Sequence, residues 1–537
     1  MTSEPDFRRY LTGIDSPSTH QLFVDCVIVG AGIAGLRAAV ELPENCSVIV
    51  LCKGFLADSN TWQAQGGIAS ALDKADTFES HIADTLKTGC GLSELSTVEM
   101  VVRQGPELVK QLLAWGTQFD MVNGRIATTL EGGHSHPRIA HAHGDETGRT
   151  IASVLIRKVR EKTNVRVLEN FFVIDLLTDK ENNCIGIIGQ DKRGLQIIWA
   201  ENTILAAGGL GQLYRETTNP SIATGDGIAM AYRAGAVLQD LEFIQFHPTT
   251  LYIAGASRAL ITETLRGEGA VLLDSNGYRF MKEYDEAGEL APRDIVSRAI
   301  LAHMLKTKST HVYLDVRDFD KKHFAKRFPL ISELCESFDI DVSSDLIPVR
   351  PSAHYMIGGL KTDSSAGTSI DSLYACGEVA ATGLHGANRL GSNSLLEGLV
   401  FGKIAGRSVC EKLKENTHGR HPKISYKVPQ SARTRLDAAD VRNSLRALMW
   451  RNVGITRKAQ PLKEAQDIIR FWQRYVMDKV FDSNQGWECQ NMLTVSLLMA
   501  RAALNRTESR GVHYRTDFPN IDDSNFKKHI EIKRTGI

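Results

Sequence analysis

No apolar run in this 537-residue chain reaches the ~18 residues that a membrane-spanning helix requires. The most apolar early stretch, Val24 to Val40, is interrupted by Asp25 and Arg37. The opening residues, "MTSEPDFRRYLTGIDSPSTHQ", are polar and lack the apolar centre of a secretory leader, which places the chain in the cytoplasm and suggests a flexible arm over 1–20. There is no net charge: Lys+Arg and Asp+Glu both number 63. Nothing global attracts nucleic acid or an anionic membrane, so any charge that matters is local. There is also no Cys-x-x-Cys. Nine widely spaced cysteines argue against a disulfide framework, a zinc site or an iron–sulfur cluster, and read instead as small buried hydrophobes.

What is present begins with "VDCVIVGAGIAGLRAAV" (24–40). A short apolar strand runs into Gly30-Ala31-Gly32-Ile33-Ala34-Gly35 and then into a helical stretch. This is G-x-G-x-x-G in the strand–turn–helix context that gives the pattern meaning. Gly30 permits the tight turn, Gly32 lets a pyrophosphate approach the backbone, and Gly35 lets helix pack on strand. The free N–H groups of the helix start face phosphate. The next strand, "SVIVLCKG" (47–54), ends without the acid that marks an NAD site. Lys53 stands there instead, suited to a phosphate or to the adenosine end.

Two further strand ends share this small-residue texture: "ENTILAAGGLGQLY" (201–214) and Leu373 to Ala375 running into Cys376-Gly377-Glu378. Three points of backbone approach, far apart in sequence, suit a long extended cofactor. FAD fits better than NAD because it needs contacts along its ribityl chain and ring as well as its pyrophosphate.

The segment "SNTWQAQGG" (59–67) resembles the flavin-contacting stretch of the succinate dehydrogenase and fumarate reductase flavoprotein family. Other marks of that family follow in order: "TGDGIAMA" (224–231), "QFHPT" (245–249), "TETLRGEGA" (262–270), "APRDIVSRAI" (291–300), "AHYMIGG" (353–359) and "GEVAATGLHGANRLGSNSLLEG" (377–398). Two departures point to the aspartate-oxidising branch. Respiratory members carry a histidine, covalently attached to FAD, where this chain has Asn60. A carboxamide forms no such link, so FAD is expected to bind non-covalently. Glu131, in "LEGGHSH" (130–136), replaces an apolar or aromatic residue and complements the ammonium that aspartate has and succinate lacks.

The resemblance implies cofactor contacts at Ala31 to Ala34, Lys53, Asn60, Thr61, Trp62, Gln63, Ala64, Gln65, Gly66, Gly67, Asp226, Glu378, Ser394 and Leu395. The last two would offer helix-start N–H groups to the flavin. It also implies a dicarboxylate clamp of His247, Thr262, Glu263, Arg293, His354 and Arg389, with Arg293 and Glu263 catalytic. Arginine suits that task because its planar fork binds a carboxylate through two parallel hydrogen bonds. Arg293 follows Pro292, a residue favoured at a helix start, where the helix dipole also favours an anion.

The implied reaction is FAD-dependent oxidation of L-aspartate to iminoaspartate. The flavin is reoxidised by O2, giving hydrogen peroxide, or by fumarate, giving succinate. That is the first step of NAD biosynthesis, with a hand-off to quinolinate synthase. The alternative is a fumarate reductase or succinate dehydrogenase flavoprotein that passes electrons to an iron–sulfur partner.

His134, His136, His141 and His143 lie close together, but their spacing is not that of a zinc site; no metal is expected, and structural or substrate-lining roles are. The fold class expected is α/β: a Rossmann-like FAD-binding domain with an inserted α+β capping domain and a C-terminal helical bundle. Its divisions are the arm 1–20, FAD-binding parts 21–245 and 356–425, the cap 246–355, and the helical domain 431–537. Asn276-Gly277 reads as a hairpin turn within the cap. The segment 411–423 reads as a linker. Leu462, Ala465, Ile469, Trp472 and Val476 form one apolar helix face. His513 and Arg515 read as packing residues.

Overall fold

The computed structural model describes residues 8–256, 258–415, 421–428 and 436–534. Much of the expected linker, 416–420, and the first seven residues of the expected arm lie outside the described residues.

The central sheet runs in the order Phe172–Thr178, Cys184–Asp191, Gly194–Leu205, His20–Val29, Val48–Leu51, Val165–Leu168. Leu373–Ala375 joins Gly194–Leu205 on a short parallel pairing. The pairings of His20–Val29 with Gly194–Leu205 and with Val48–Leu51 are parallel too. Cys26 to Val29 are buried, which is why this strand reads as an unbroken apolar run and not an alternation.

Register then does what sequence separation hides. Leu205 pairs with both Val29 and Ala375, so the three strand–turn junctions end side by side. Ala206 N–H donates to Val29 O at 2.8 Å, and Cys376 N–H to Leu205 O at 3.0 Å. A crevice outside the carboxyl ends of parallel strands is where ligands of such sheets bind.

The inserted region carries its own antiparallel sheet, ordered Ile244–Leu251, Ile347–Met356, Val312–Asp315, Val271–Leu273, and its own apolar core. Ile244 pairs with Met356, so both edges of the insertion lie on one strand pair that leads back to the central sheet. Gly277 adopts φ +78° and its N–H donates to Asp274 O, closing the expected turn; the flanking strands shrink to one bridge, Leu273 with Arg279.

The helices Ala438–Asn452, Ala459–Val476 and Asn484–Asn505 pack on one another. Leu462, Ala465, Ile469 and Val476 are fully buried, and Trp472 partly so. These helices do not close on themselves alone: Met492, Val495 and Met499 belong to the same apolar core as Ile228 and Leu205 of the central domain.

The described part of the N-terminal arm is a correction to the expectation of flexibility. Tyr10, Leu11 and Ile14 are buried, Ile14–Asp15 pairs with Ser425–Tyr426, and Leu11 N–H donates to Asp175 Oδ2 at 2.7 Å. The polar residues around them hid three apolar anchors. All nine cysteines are free thiols, seven of them buried. Among the described residues, no helix is long and apolar enough to cross a membrane, and no cluster of His, Cys, Asp and Glu has the makings of a metal site.

Candidate active site

One continuous cavity follows the three junctions. At one end stand Gly30, Ala31, Gly32, Ile33 and Ala34, then Lys53 and Asp226. Asn60, Thr61, Gln63 and Ala64 continue the wall, and Glu378, Ser394, Leu395, His354 and Arg389 close the other end. Gly30 sits at φ +114°, and a Cβ there would lie 2.1 Å from Ala206 O, so no other residue makes this turn without displacement.

The helix Ile33–Glu41 begins at Gly32 without a capping side chain on its cap residue, and Asn393–Leu413 begins the same way at Ser392. The first-turn N–H groups of both helices therefore need partners from elsewhere. One is satisfied internally, Ile33 N–H by Thr61 Oγ1 at 3.0 Å. An elongated cavity with glycines and helix-start donors at both ends fits a dinucleotide with a flavin ring.

Five expected cofactor residues do not line this cavity: Gly35, Trp62, Gln65, Gly66 and Gly67. Gly35 is a packing glycine, whose Cβ would lie 2.0 Å from Gly30 O. Gly67 likewise allows close approach to Ala140 O, 2.4 Å from an added Cβ. Trp62 turns outward beneath the Arg149 guanidinium, 5.9 Å from its ring centroid. A motif marks a contiguous run, whereas a folded segment turns only some of its side chains toward a ligand.

Asn60 occupies the cavity wall and donates through Nδ2 to Glu378 Oε2 at 3.2 Å. Glu378 Oε1 accepts from Met356 N–H at 2.9 Å. Burial pushes the Glu378 carboxyl up to about 7.

The charged chamber adjoins this end. Arg389 Nε and Arg293 Nη1 both donate to Gln245 Oε1 at 3.2 Å, so one carboxamide oxygen draws two guanidinium groups together. Arg389 also donates to Ser394 Oγ at 2.5 Å and lies 4.4 Å from the Tyr355 ring centroid. Arg293 Nε pairs with Glu263 Oε2 at 2.6 Å, and Arg266 with Glu263 Oε1 at 2.9 Å. Burial, then the charge of Arg293, lower Arg389 to about 10, which leaves it cationic at neutral pH. Among the described residues it has no carboxylate within ion-pair distance.

Glu131 stands on the other side of Arg293. An added Cβ on Gly391 would lie 3.3 Å from Arg293 Nη2, 3.4 Å from Glu263 Oε2 and 3.5 Å from Glu131 Oε2. Glu131 accepts from the Thr264 and Ser392 hydroxyls at 2.8 and 3.0 Å. Burial and then the neighbouring Glu263 push its carboxyl above the ordinary value, against the pull of Arg293. Burial also works to raise Glu263, but Arg293 and Arg266 outweigh it and hold that carboxyl low.

His247 and His354 lie on paired strands with ring centroids 5.2 Å apart. Burial and the nearby arginines hold both well below the usual imidazole range, so they act as neutral hydrogen-bonding groups. His354 Nδ1 meets Thr218 Oγ1 at 2.9 Å, whereas His247 Nε2 is buried without a partner. The Thr262 hydroxyl lies 3.2 Å from that of Thr264.

Sequence reasoning missed Gln245, Tyr355, Arg266 and Ser392. Each lies inside a quoted motif beside a residue that was singled out. Gln245 shares a strand face with His247 two residues on, a period-two signal that was available. Of the four clustered histidines, His134 Nε2 meets Gly391 O at 3.0 Å behind the chamber and His141 meets the Thr129 hydroxyl at 2.8 Å. His136 bonds to Ser80 and His143 to Gln118, both nearer the surface. His513 and Arg515 are buried in the C-terminal region, bonded to Arg457 and to Asp517.

Residues 25–395 match the family described as FAD binding domain, and 442–536 match fumarate reductase flavoprotein C-term. The chain is 41% identical to L-aspartate oxidase of Streptomyces coelicolor, over 95% of this chain and 91% of that protein. It is 40% identical to the enzyme of the same name from Acinetobacter baylyi, over 94% and 95%. The chain belongs to the L-aspartate oxidase branch of the fumarate reductase flavoprotein family. Members of the wider family share the whole architecture. The flavoprotein of E. coli quinol fumarate reductase superposes with a TM-score of 0.89 at 32% identity, covering 96% of each chain. This family's cofactor is FAD, and the carboxamide of Asn60 leaves it held without a covalent bond.

Proposed function

We infer that the chain oxidises L-aspartate to iminoaspartate as an FAD-dependent enzyme. One observation carries the reading. Arg389 is buried, cationic and without an ion-pair partner among the described residues, and it is held against Arg293, a second cation. Burying like charges together costs free energy unless an anion arrives. A small diacid supplies one carboxylate for each guanidinium.

FAD held in this cavity would supply the two-electron acceptor: it would take the Cα hydrogen of aspartate as hydride and pass those two electrons on to O2 or to fumarate, with the protons moved by other groups. The remaining work falls to the chain. Arg389 grips one carboxylate at the cavity wall, and Arg293 binds the other with the Thr262 hydroxyl and the neutral His247 and His354 beside it. Glu263 orients the Arg293 fork. Glu131, with its raised proton affinity, takes the ammonium and draws off its proton, so the nitrogen lone pair is free to assist loss of the Cα hydrogen.

No carbon base is needed in that half-reaction, so Arg293 serves there as a carboxylate ligand. In fumarate reduction it donates a proton, resupplied through Glu263. The cofactor wall comprises Gly30 to Ala34, Lys53, Asn60, Thr61, Gln63, Ala64, Asp226, Glu378, Ser394 and Leu395. The divisions at 21–245, 246–355, 356–425 and 431–537 are part of the same proposal, as are a cytoplasmic location and a hand-off to quinolinate synthase. Iminoaspartate hydrolyses in water, which favours a consumer close at hand.

The test is direct. L-aspartate added without O2 bleaches the yellow protein, and under air peroxide accumulates. A yellow protein that neither bleaches nor makes peroxide overturns the assignment and favours the respiratory alternative.

A further inference from the structure

The far end of the cofactor cavity contains a charge network that the reaction does not use. Lys53 and Asp226 both line the cavity. The Lys53 ammonium lies 2.7 Å from Asp226 Oδ2, 2.7 Å from Thr224 Oγ1, 3.0 Å from Ile222 O and 2.6 Å from Glu488 Oε1. Four acceptors exceed its three hydrogens, so Lys53 is not a free cation waiting for phosphate. Its position is set by what holds it.

Part of that hold comes from outside the residues matched as FAD binding domain, which end at 395. Glu488 and Asn491 stand one turn apart on the helix Asn484–Asn505. Glu488 grips Lys53 through Oε1, and its Oε2 accepts from Arg442 at 2.7 Å. Asn491 Nδ2 donates to Asp226 Oδ1 at 2.7 Å, while its carbonyl accepts from Arg233 at 2.7 Å. Neither Glu488 nor Asn491 lines the cavity, yet each fixes one member of the Lys53–Asp226 pair in its wall. The helix that carries them is buried almost throughout and shares its core with the central domain, so the hold is stiff.

We propose that Glu488 is a positioning residue for the cofactor: by fixing Lys53 in the cavity wall, the C-terminal helical region sets how tightly the adenosine half of FAD binds. The proposal rests on the FAD reading. It separates two quantities: loss of Glu488 weakens cofactor binding and leaves turnover at saturating cofactor unchanged, because the substrate chamber lies at the other end.

The experiment is an FAD titration of full-length apoprotein, followed by quenching of flavin fluorescence, on Glu488→Gln, Glu488→Asp, Lys53→Met and the double variant Lys53→Met with Glu488→Gln. Glu488→Gln is expected to raise the Kd for FAD roughly tenfold, the scale of one charge-assisted hydrogen bond. Glu488→Asp recovers part of that loss, and the double variant is no weaker than Lys53→Met alone. For Glu488→Gln and Glu488→Asp, the kcat for aspartate at saturating FAD stays within about twofold of the unaltered protein.

An unchanged Kd in Glu488→Gln overturns the proposal. Losses that add in the double variant overturn it as well, because Glu488 would then act by another route. If Glu488→Gln does not fold, Glu488→Asp decides alone: a Kd equal to that of the unaltered protein counts against, a severalfold rise counts for. Unaltered apoprotein that takes up no FAD overturns the cofactor reading itself, a result distinct from both.

Discussion

The two ends of the cavity are built on opposite principles. The glycine loop itself is made of backbone: a forced turn at Gly30, helix-start N–H groups, and residues adjacent in sequence. The chamber end is made of side chains drawn from five separate segments, around residues 131, 245, 263, 293 and 389. Backbone donors point where the local fold sends them and need no charge balance. The chamber holds buried ions, each steered by a side chain from elsewhere: Glu263 by Arg293 and Arg266, Arg389 by Gln245, Glu131 by two hydroxyls. The lesson is that a backbone phosphate loop can be written in one motif, while the charged walls, the Lys53–Asp226–Glu488 network as much as the substrate chamber, must be assembled.

Four experiments sharpen or break that contrast. The largest effect is expected from Arg389→Met, which removes the unpaired cation: kcat/KM for aspartate falls about 10³-fold, while FAD titration of the apoprotein changes far less. A comparable loss of FAD binding would erase the distinction between the ends. Glu131→Gln comes next. Steady-state kinetics should show a fall of about 10- to 100-fold in kcat/KM for aspartate with fumarate reduction largely retained, because only aspartate brings an ammonium. Equal losses for both substrates would remove Glu131 from amine recognition.

Gly30→Ala tests the other end. A Cβ 2.1 Å from Ala206 O at positive φ should cost about 1–3 kcal/mol of apoprotein stability by denaturant titration and weaken FAD binding with it. Normal stability and normal FAD uptake would show that the backbone cradle is soft. The smallest effect concerns Glu378. Its folded-state value, raised from 4.5 to about 7, means the folded apoprotein holds a proton that the unfolded chain releases. Stability is therefore lost as pH rises from 4.5 through about 7, by at most about 3 kcal/mol, since cavity water moderates the shift. Glu378→Gln should flatten the denaturation midpoint across that window; an unchanged slope would mean the carboxyl is ordinary. Acid precipitation, with all the yellow colour left in the supernatant, checks the non-covalent hold that Asn60 imposes.

Much of the cradle was legible because it is local. The strand–turn–helix at 24–40 and the helix start at Ser394-Leu395 depend on nearest neighbours and on glycine. Within 59–67, however, the motif could not say which residues line the cavity: Asn60, Thr61, Gln63 and Ala64 do, and Trp62, Gln65, Gly66 and Gly67 do not. The arm at 8–15 was misread for a related reason. Its three apolar anchors are scattered among polar residues, and only the partner surface shows that they are buried.

By itself the sequence determined the glycine turn at Gly30, the stock of arginines, histidines and carboxylates available to the chamber, and the carboxamide of Asn60. These follow from residue chemistry and short-range geometry. Tertiary structure alone decided that three strand ends meet in register, that Gln245 ties two arginines together, and that Glu488 reaches Lys53 across 435 positions. Those contacts depend on how separate elements stack, and the free energy of placing a buried charge is set by its neighbours in space, which no local pattern encodes.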